Sequence, residues 1–171
     1  MALGVDYVGQ DCSMARALEL VGERWTLLIV RDSLFGVRRF SDFQTHLEMS
    51  KAVLTQRLAG LVDAGLLARR PLGGREEYVP TEALEDLWPV VFALSDWGGQ
   101  QVPSPGGVRR EFLHTGCGTL LVRAGLCPKC GVVPRPSDVS MRPGPGIGDL
   151  VRPNVVSRAL RSPRRLLEPI R

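Results

Sequence analysis

Four residues in the second half of the chain have the types and spacing of a metal site. His114-x-x-Cys117-Gly118 is followed by Cys127-Pro128-Lys129-Cys130-Gly131, so the unit ligand-x-x-ligand-Gly occurs twice. Thiolate and imidazole suit Zn2+, and two ligands on a tight turn need a residue after them that accepts an unusual backbone. Glycine supplies it both times. The pattern predicts a closed Cys3His site for structural Zn2+ on His114, Cys117, Cys127 and Cys130. Thr119 to Arg123 reads as a strand between the halves, which makes a small zinc ribbon. Such a fragment cannot bury enough apolar surface alone, so metal binding would supply folding free energy. The competing reading is reduced thiols, or a Cys127–Cys130 disulfide, in a loosely packed extension.

Cys12 stands apart, at the start of the first helical stretch. A helix N-terminus favours thiolate, which makes Cys12 a candidate redox thiol; the alternative is a small buried hydrophobe in a subunit interface. His46 reads as a surface or cap residue. Neither histidine has a serine or cysteine placed as an activated nucleophile, and the chain has no phosphate-binding loop. No enzyme is expected.

A second group of residues has the chemistry of nucleic-acid recognition. Ser50 can cap a helix running to Ala64, closed by Gly65. At 100° per residue, Leu54, Leu58, Leu61 and Val62 share one side. Ala52, Gln56, Ala59, Gly60 and Asp63 share the other, with Thr55 and Arg57 on the flanks. Small residues let a helix approach base edges, and a few long polar ones read them: Gln56 suits adenine, Arg57 guanine or a phosphate. Lys51 and the amides around Ser50 favour a phosphate. Arg38 and Arg39 before the third helix, and Arg75 at a hairpin tip, could straddle the backbone. An ordinary amphipathic surface helix is the competing reading.

Those side chains need elements to hold them. Met14, Leu18 and Val21 mark a first helix capped by Ser13 or Asp11 and stopped at Gly22. Trp25 to Phe35 is apolar nearly all round and predicts a buried helix ended by Gly36. Ser41 opens a third helix with Phe43 and Leu47 inward. After the fourth, Leu66 to Arg70 and Glu77 to Pro80 read as strands of a hairpin around Leu72-Gly73-Gly74-Arg75. A last helix covers about Leu84 to Trp97. Its stripe of Leu87, Val90, Val91 and Leu94, with Trp88 and Trp97 beside it, is more apolar surface than one small domain covers, which predicts a homodimer.

The 171 residues divide near Gln101, and so does the charge. Residues 1–101 carry ten bases against 14 acids, a net of −4, whereas 102–171 carry twelve against four, a net of +8. Within the first part, residues 31–75 form a basic island of net +4, flanked by the acidic run 76–101. No apolar run reaches the roughly 18–20 residues of a membrane span. The first ten residues lack the pattern of an export signal, so the cysteines are expected in a reducing cytoplasm.

From Cys12 through Gly98 the chain resembles the HxlR-type regulators, a MarR-like branch of winged-helix transcription factors. The resemblance rests on Cys12, Gly22-Glu23-Arg24-Trp25-Thr26-Leu27-Leu28-Ile29, Phe35-Gly36-Val37-Arg38-Arg39-Phe40, Ser50-Lys51-Ala52-Val53-Leu54-Thr55-Gln56-Arg57-Leu58, Gly65-Leu66, Tyr78 and Trp97-Gly98. It implies a homodimer joined by the first and last helices, bound to double-stranded DNA at an inverted-repeat operator. Repression or activation would respond to a small-molecule effector or a redox signal, in some relatives through a cysteine placed like Cys12. The wing loop here is short for the family, and the family core ends before the cysteine segment. The expected fold is mainly α with a small β-hairpin wing: a winged helix-turn-helix plus a small zinc-ribbon-like β extension. Residues 1–101 form the DNA-binding and dimerisation domain, 102–107 a linker, 108–149 the ribbon, and 150–171 an Arg-rich, flexible tail. The alternative function is a winged-helix and zinc-ribbon adaptor that contacts the transcription machinery without reading a sequence.

Overall fold

Trp25 to Phe35 sets the architecture. In the computed structural model, which describes residues 7, 9–148 and 152–171, this segment becomes α2 (Thr26–Leu34) and runs through the interior. Ile29, Val30 and Leu34 are fully buried. Around it lie α1 (Ser13–Val21), α3 (Phe40–Leu47) and α4 (Lys51–Asp63). Phe43 and Leu47 of α3 and Leu54, Leu58 and Leu61 of α4 face inward, as their spacing predicts. The α4 cap is Ser50, whose hydroxyl accepts from Val53 N–H at 3.3 Å.

The wing follows directly. Strands β1 (Leu67–Leu72) and β2 (Arg75–Pro80) pair antiparallel from Leu67↔Pro80 to Leu72↔Arg75. The two-residue turn puts Gly73 at φ +56 and Gly74 at +76, which glycine accepts at little cost. Tyr78 N–H donates to Arg38 C=O at 2.8 Å, tying the wing to the α2–α3 connection. The last helical stretch is two elements, α5 (Glu82–Glu85) and α6 (Trp88–Gln101), the latter continuing through Gly98 and Gly99.

Beyond α6 the structure departs from the expectation in two places. First, Thr119 to Arg123 makes only single bridges, Leu113↔Leu120 and Val122↔Leu126. The sheet is instead β3 (Arg110–His114), β4 (Val139–Pro143) and a short β5 (Arg164–Arg165), antiparallel in the order β3-β4-β5. Proline and glycine bound β4 on both sides, yet its alternation of buried Val139 and Met141 with outward Ser140 and Arg142 is that of a strand.

Second, the segment expected to be a flexible tail is folded where described. It forms α7 (Val155–Ala159) and β5, and buries Val156, Leu160, Leu166 and Ile170 in the core. Apolar residues every few positions were masked by the arginines between them. The boundary expected at 149–150, and most of the first ten residues, lie outside the described residues. One hydrophobic cluster joins Ile29, Phe43 and Trp88 to Met141, Val156 and Ile170, so helices and extension share a core. Its centre is aromatic: the Phe112 ring lies 5.1 Å from Trp88, 5.6 Å from Phe92 and 6.1 Å from Phe35. Among the described residues no helix is long and apolar enough to cross a membrane.

Candidate functional site

The α4 helix is anchored by three leucines, which leaves Lys51, Ala52, Thr55, Gln56 and Gly60 exposed on its outer side. Thr55 Oγ1 donates back to Lys51 C=O at 2.8 Å. Among the described residues Lys51 and Gln56 have no side-chain partner, so both are available to a ligand. Arg75 is exposed and unpaired at the hairpin tip. Two wing cations were not singled out from sequence, although the basic island contains them. Arg70 is exposed, and Arg69 lies 5.9 Å over the Tyr78 ring and 3.8 Å from Glu76.

Three other arginines are occupied. Arg57 is half-buried on the flank of α4 and pairs with Glu23 at 2.9 Å. Arg39 caps the start of α3 by its backbone and lies 3.8 Å from Glu77. Arg38, expected to straddle a phosphate backbone, is only 4% exposed. It donates to Ser33 C=O at 2.6 Å, Val37 C=O at 3.0 Å and Leu167 C=O at 2.7 Å. Three carbonyls compensate its burial, and it cannot reach a ligand outside.

Beneath the α3–α4 unit lies a charged group not foreseen from sequence. Asp32 is fully buried, with Arg31 at 2.7 Å and His46 Nδ1 at 2.6 Å. Burial pushes its carboxyl up, but Arg31 and His46 outweigh that and hold it below its ordinary value. His46 is therefore a tether between α3 and α2 rather than a surface residue. Only the pairing distance reveals this, because Asp32 and His46 lie 14 positions apart on different helices.

The four predicted metal ligands converge. The donor atoms of His114, Cys117, Cys127 and Cys130 all lie within 4.8 Å of one another. Cys117 Sγ is 3.5 Å from Cys127 Sγ and 3.6 Å from His114 Nδ1. A tetrahedron with metal–sulfur bonds of about 2.3 Å has edges of roughly 3.8 Å, so the spacing fits Zn2+. Both knuckles close alike: Gly118 and Gly131 each have φ +69, with N–H donated to His114 C=O at 2.8 Å and Cys127 C=O at 2.9 Å. Hydrogen bonds from Thr119 lower the Cys117 thiol to about 6, favouring the form that ligates. Sharing protons with Cys117 and Cys127 raises Cys130 to about 11. Cys12 is exposed at the α1 N-cap and makes no side-chain hydrogen bond to the helix.

The profile of the HxlR-like helix-turn-helix family matches residues 20–105. The Mycobacterium tuberculosis protein named "Uncharacterized HTH-type transcriptional regulator Rv3095" is 42% identical over 137 residues, 78% of this chain and 87% of the relative. The Bacillus subtilis HTH-type transcriptional regulator YdeP is 28% identical over 103 residues, covering 56% of this chain and 80% of its own length. Among solved structures, PA1607, a candidate transcription factor, superposes with a TM-score of 0.61 at 32% identity. That match covers 66% of this chain and 81% of the other.

Proposed function

The chain belongs to the HxlR-like helix-turn-helix family and is a DNA-binding transcriptional regulator; from that premise we propose that it acts as a homodimeric repressor on an inverted-repeat operator. The observation that carries the reading is α4: three buried leucines fix its inner side, while Lys51 and Gln56 stand free and Thr55 is exposed on the outer one. Gln56 reads a base edge, Lys51 and the backbone amides of Lys51 and Ala52 take a phosphate, and Arg75 with Arg70 takes the flanking backbone. Arg39 and Arg57 contribute once they leave Glu77 and Glu23.

Dimerisation is supported by apolar surface left uncovered on two helices: Met14, Leu18 and Leu20 on α1, and Val90, Leu94 and Trp97 on α6. Trp97 is 59% exposed, whereas Trp88 belongs to the core. His114, Cys117, Cys127 and Cys130 would hold structural Zn2+, which crosslinks the two knuckles and leaves no open coordination position. Cys12, exposed at a helix start, is the residue a redox signal would use; a small-molecule effector is the other input.

A mobility shift on DNA from upstream of the protein's own gene tests the reading. A regulator binds one site tightly, loses affinity steeply with salt, and rejects scrambled sequence. Weak binding without sequence preference would instead support an adaptor of the transcription machinery.

A further inference from the structure

A cleft of about 980 Å3 lies between α2, the end of α3, the last turns of α6, and β3 with the segment before it. The match to the family ends at residue 105, where this cleft acquires its second wall from the residues around Val108 and from β3. The cleft size is that of small-molecule sites, which are largely apolar with a few fixed polar groups. Its apolar part is aromatic: Trp25, Phe35, Phe92 and Phe112, with Leu28 and Leu160.

The charged lining is asymmetric. Arg31, Arg109, Arg110 and Arg152 face Glu48 and Asp96. Arg31 is taken by Asp32 at 2.7 Å and Arg152 by Glu48 at 3.3 Å. Arg109 donates to Val102 C=O at 3.0 Å and Arg110 to Leu160 C=O at 2.8 Å, and neither has a carboxylate in ion-pair contact among the described residues. Arg110 is half-buried, with its guanidinium 5.6 Å over the Phe35 ring. Burial and the neighbouring Arg31 lower it to about 10 and Asp32 offsets this only in part, so an added negative charge would be favourable there. A bare inorganic anion would leave the aromatic wall unused, and an uncharged ligand would leave Arg110 without an ion-pair contact, because the neighbouring Asp32 carboxylate is taken by Arg31 and His46.

We propose that this cleft binds an apolar organic monoanion, an aromatic or branched body carrying one carboxylate or sulfonate, with the charge on Arg110 and the body against Phe35, Phe92 and Phe112. Arg109 closes over the charged end from the rim. Leu47 and Glu48 line the same cleft and lie three and two residues before the Ser50 cap of α4, so the ligand adjoins the recognition helix. The site itself is independent of DNA, but its role as the effector site rests on the DNA-binding reading given above.

The probe is 8-anilinonaphthalene-1-sulfonate, compared with its uncharged counterpart N-phenyl-1-naphthylamine, titrated by fluorescence into the full-length chain without DNA. One sulfonate site per chain is expected, about tenfold or more tighter than the uncharged compound. Arg110→Gln should abolish that preference, Arg110→Lys should keep part of it, and Arg142→Gln, which removes an equal charge outside the cleft, should leave it unchanged. Equal affinity for the two compounds on the wild-type protein overturns the proposal and requires no variant to fold. A correctly folded Arg110→Gln protein that keeps the preference overturns it as well. In a parallel mobility shift, saturating sulfonate should change operator affinity at least severalfold. Arg110-dependent binding with unchanged operator affinity would overturn the effector role alone, whereas absence of any operator binding would bear on the regulator reading and leave the site standing.

Discussion

Single residues on the DNA-facing side differ in whether the fold needs them. Gln56 has no side-chain partner among the described residues, so Gln56→Ala should leave folding intact and cost roughly 1–3 kcal/mol on the operator, with preference relaxed at one base position per half-site. Arg75→Ala should weaken specific and scrambled DNA alike and reduce the salt slope by about one ion. Competition titrations at several salt concentrations separate the two. An unchanged ratio of specific to scrambled affinity in Gln56→Ala would mean that α4 is turned differently on the groove. Asp32 is the opposite case, since only the fold uses it. Its carboxyl is held below the ordinary value of 3.8, so its stabilisation is present above that pH and is lost as pH falls through the lowered value. Asp32→Asn leaves Arg31 and His46 without their counter-charge and should cost roughly 3–5 kcal/mol near neutral pH. The cost should shrink in acid, measured as urea midpoints between neutral pH and pH 3; a constant difference would contradict the assignment.

Elements were legible where periodicity, caps and turn residues agreed. The α2, α3 and α4 helices lie close to where apolar spacing and Ser50 put them, and Gly73-Gly74 identified the wing turn. The convergence of His114, Cys117, Cys127 and Cys130 was equally legible, because local spacing alone nearly determines a knuckle. Met14 and Leu18 mark the apolar stripe of α1 and are exposed, since periodicity defines a stripe without saying whether the same chain covers it. That stripe now carries a prediction with its counterpart on α6. Leu94→Glu with Trp97→Glu should give folded monomers with greatly weakened operator binding, because two half-sites no longer act together. Sedimentation of the wild type as a tight-binding monomer would refute it. The β4 strand and the packing of residues 152–171 were hidden because their partners are far away in sequence, and proline or arginine dominates their composition. Arg38 was misplaced for a similar reason: its third carbonyl, Leu167, is 129 positions away.

At the scale of the whole molecule, the extension and the helices stand or fall together. The ribbon's turn at Gly125 lies against Trp88 and Phe92, where an added Cβ would come within 3.8 Å of both rings. Cys130→Ser should therefore lower zinc from about one per chain and make residues 110–133 protease-sensitive, and it should also reduce the thermal midpoint of the entire protein. A ribbon that melts alone, with operator binding intact, would show two independent units. The other seam is at Gly36, at φ +99, where a Cβ would meet the Glu168 carbonyl at 1.9 Å. Gly36→Ala should displace residues 164–170 and destabilise the protein by several kcal/mol, read from chemical denaturation. Leu167 N–H donates to Leu34 C=O at 2.7 Å and Ile170 N–H to Gly36 C=O at 2.9 Å, so residues made more than a hundred positions later seal a helix made early. During synthesis, α2 through the wing must therefore wait, with Arg38 and the α2–α3 connection unsealed, until residue 170 has emerged from the ribosome. A growing chain at that stage has its recognition helix but not the support that fixes its angle, and a message cut short after the wing would yield a protein that competes poorly for the operator.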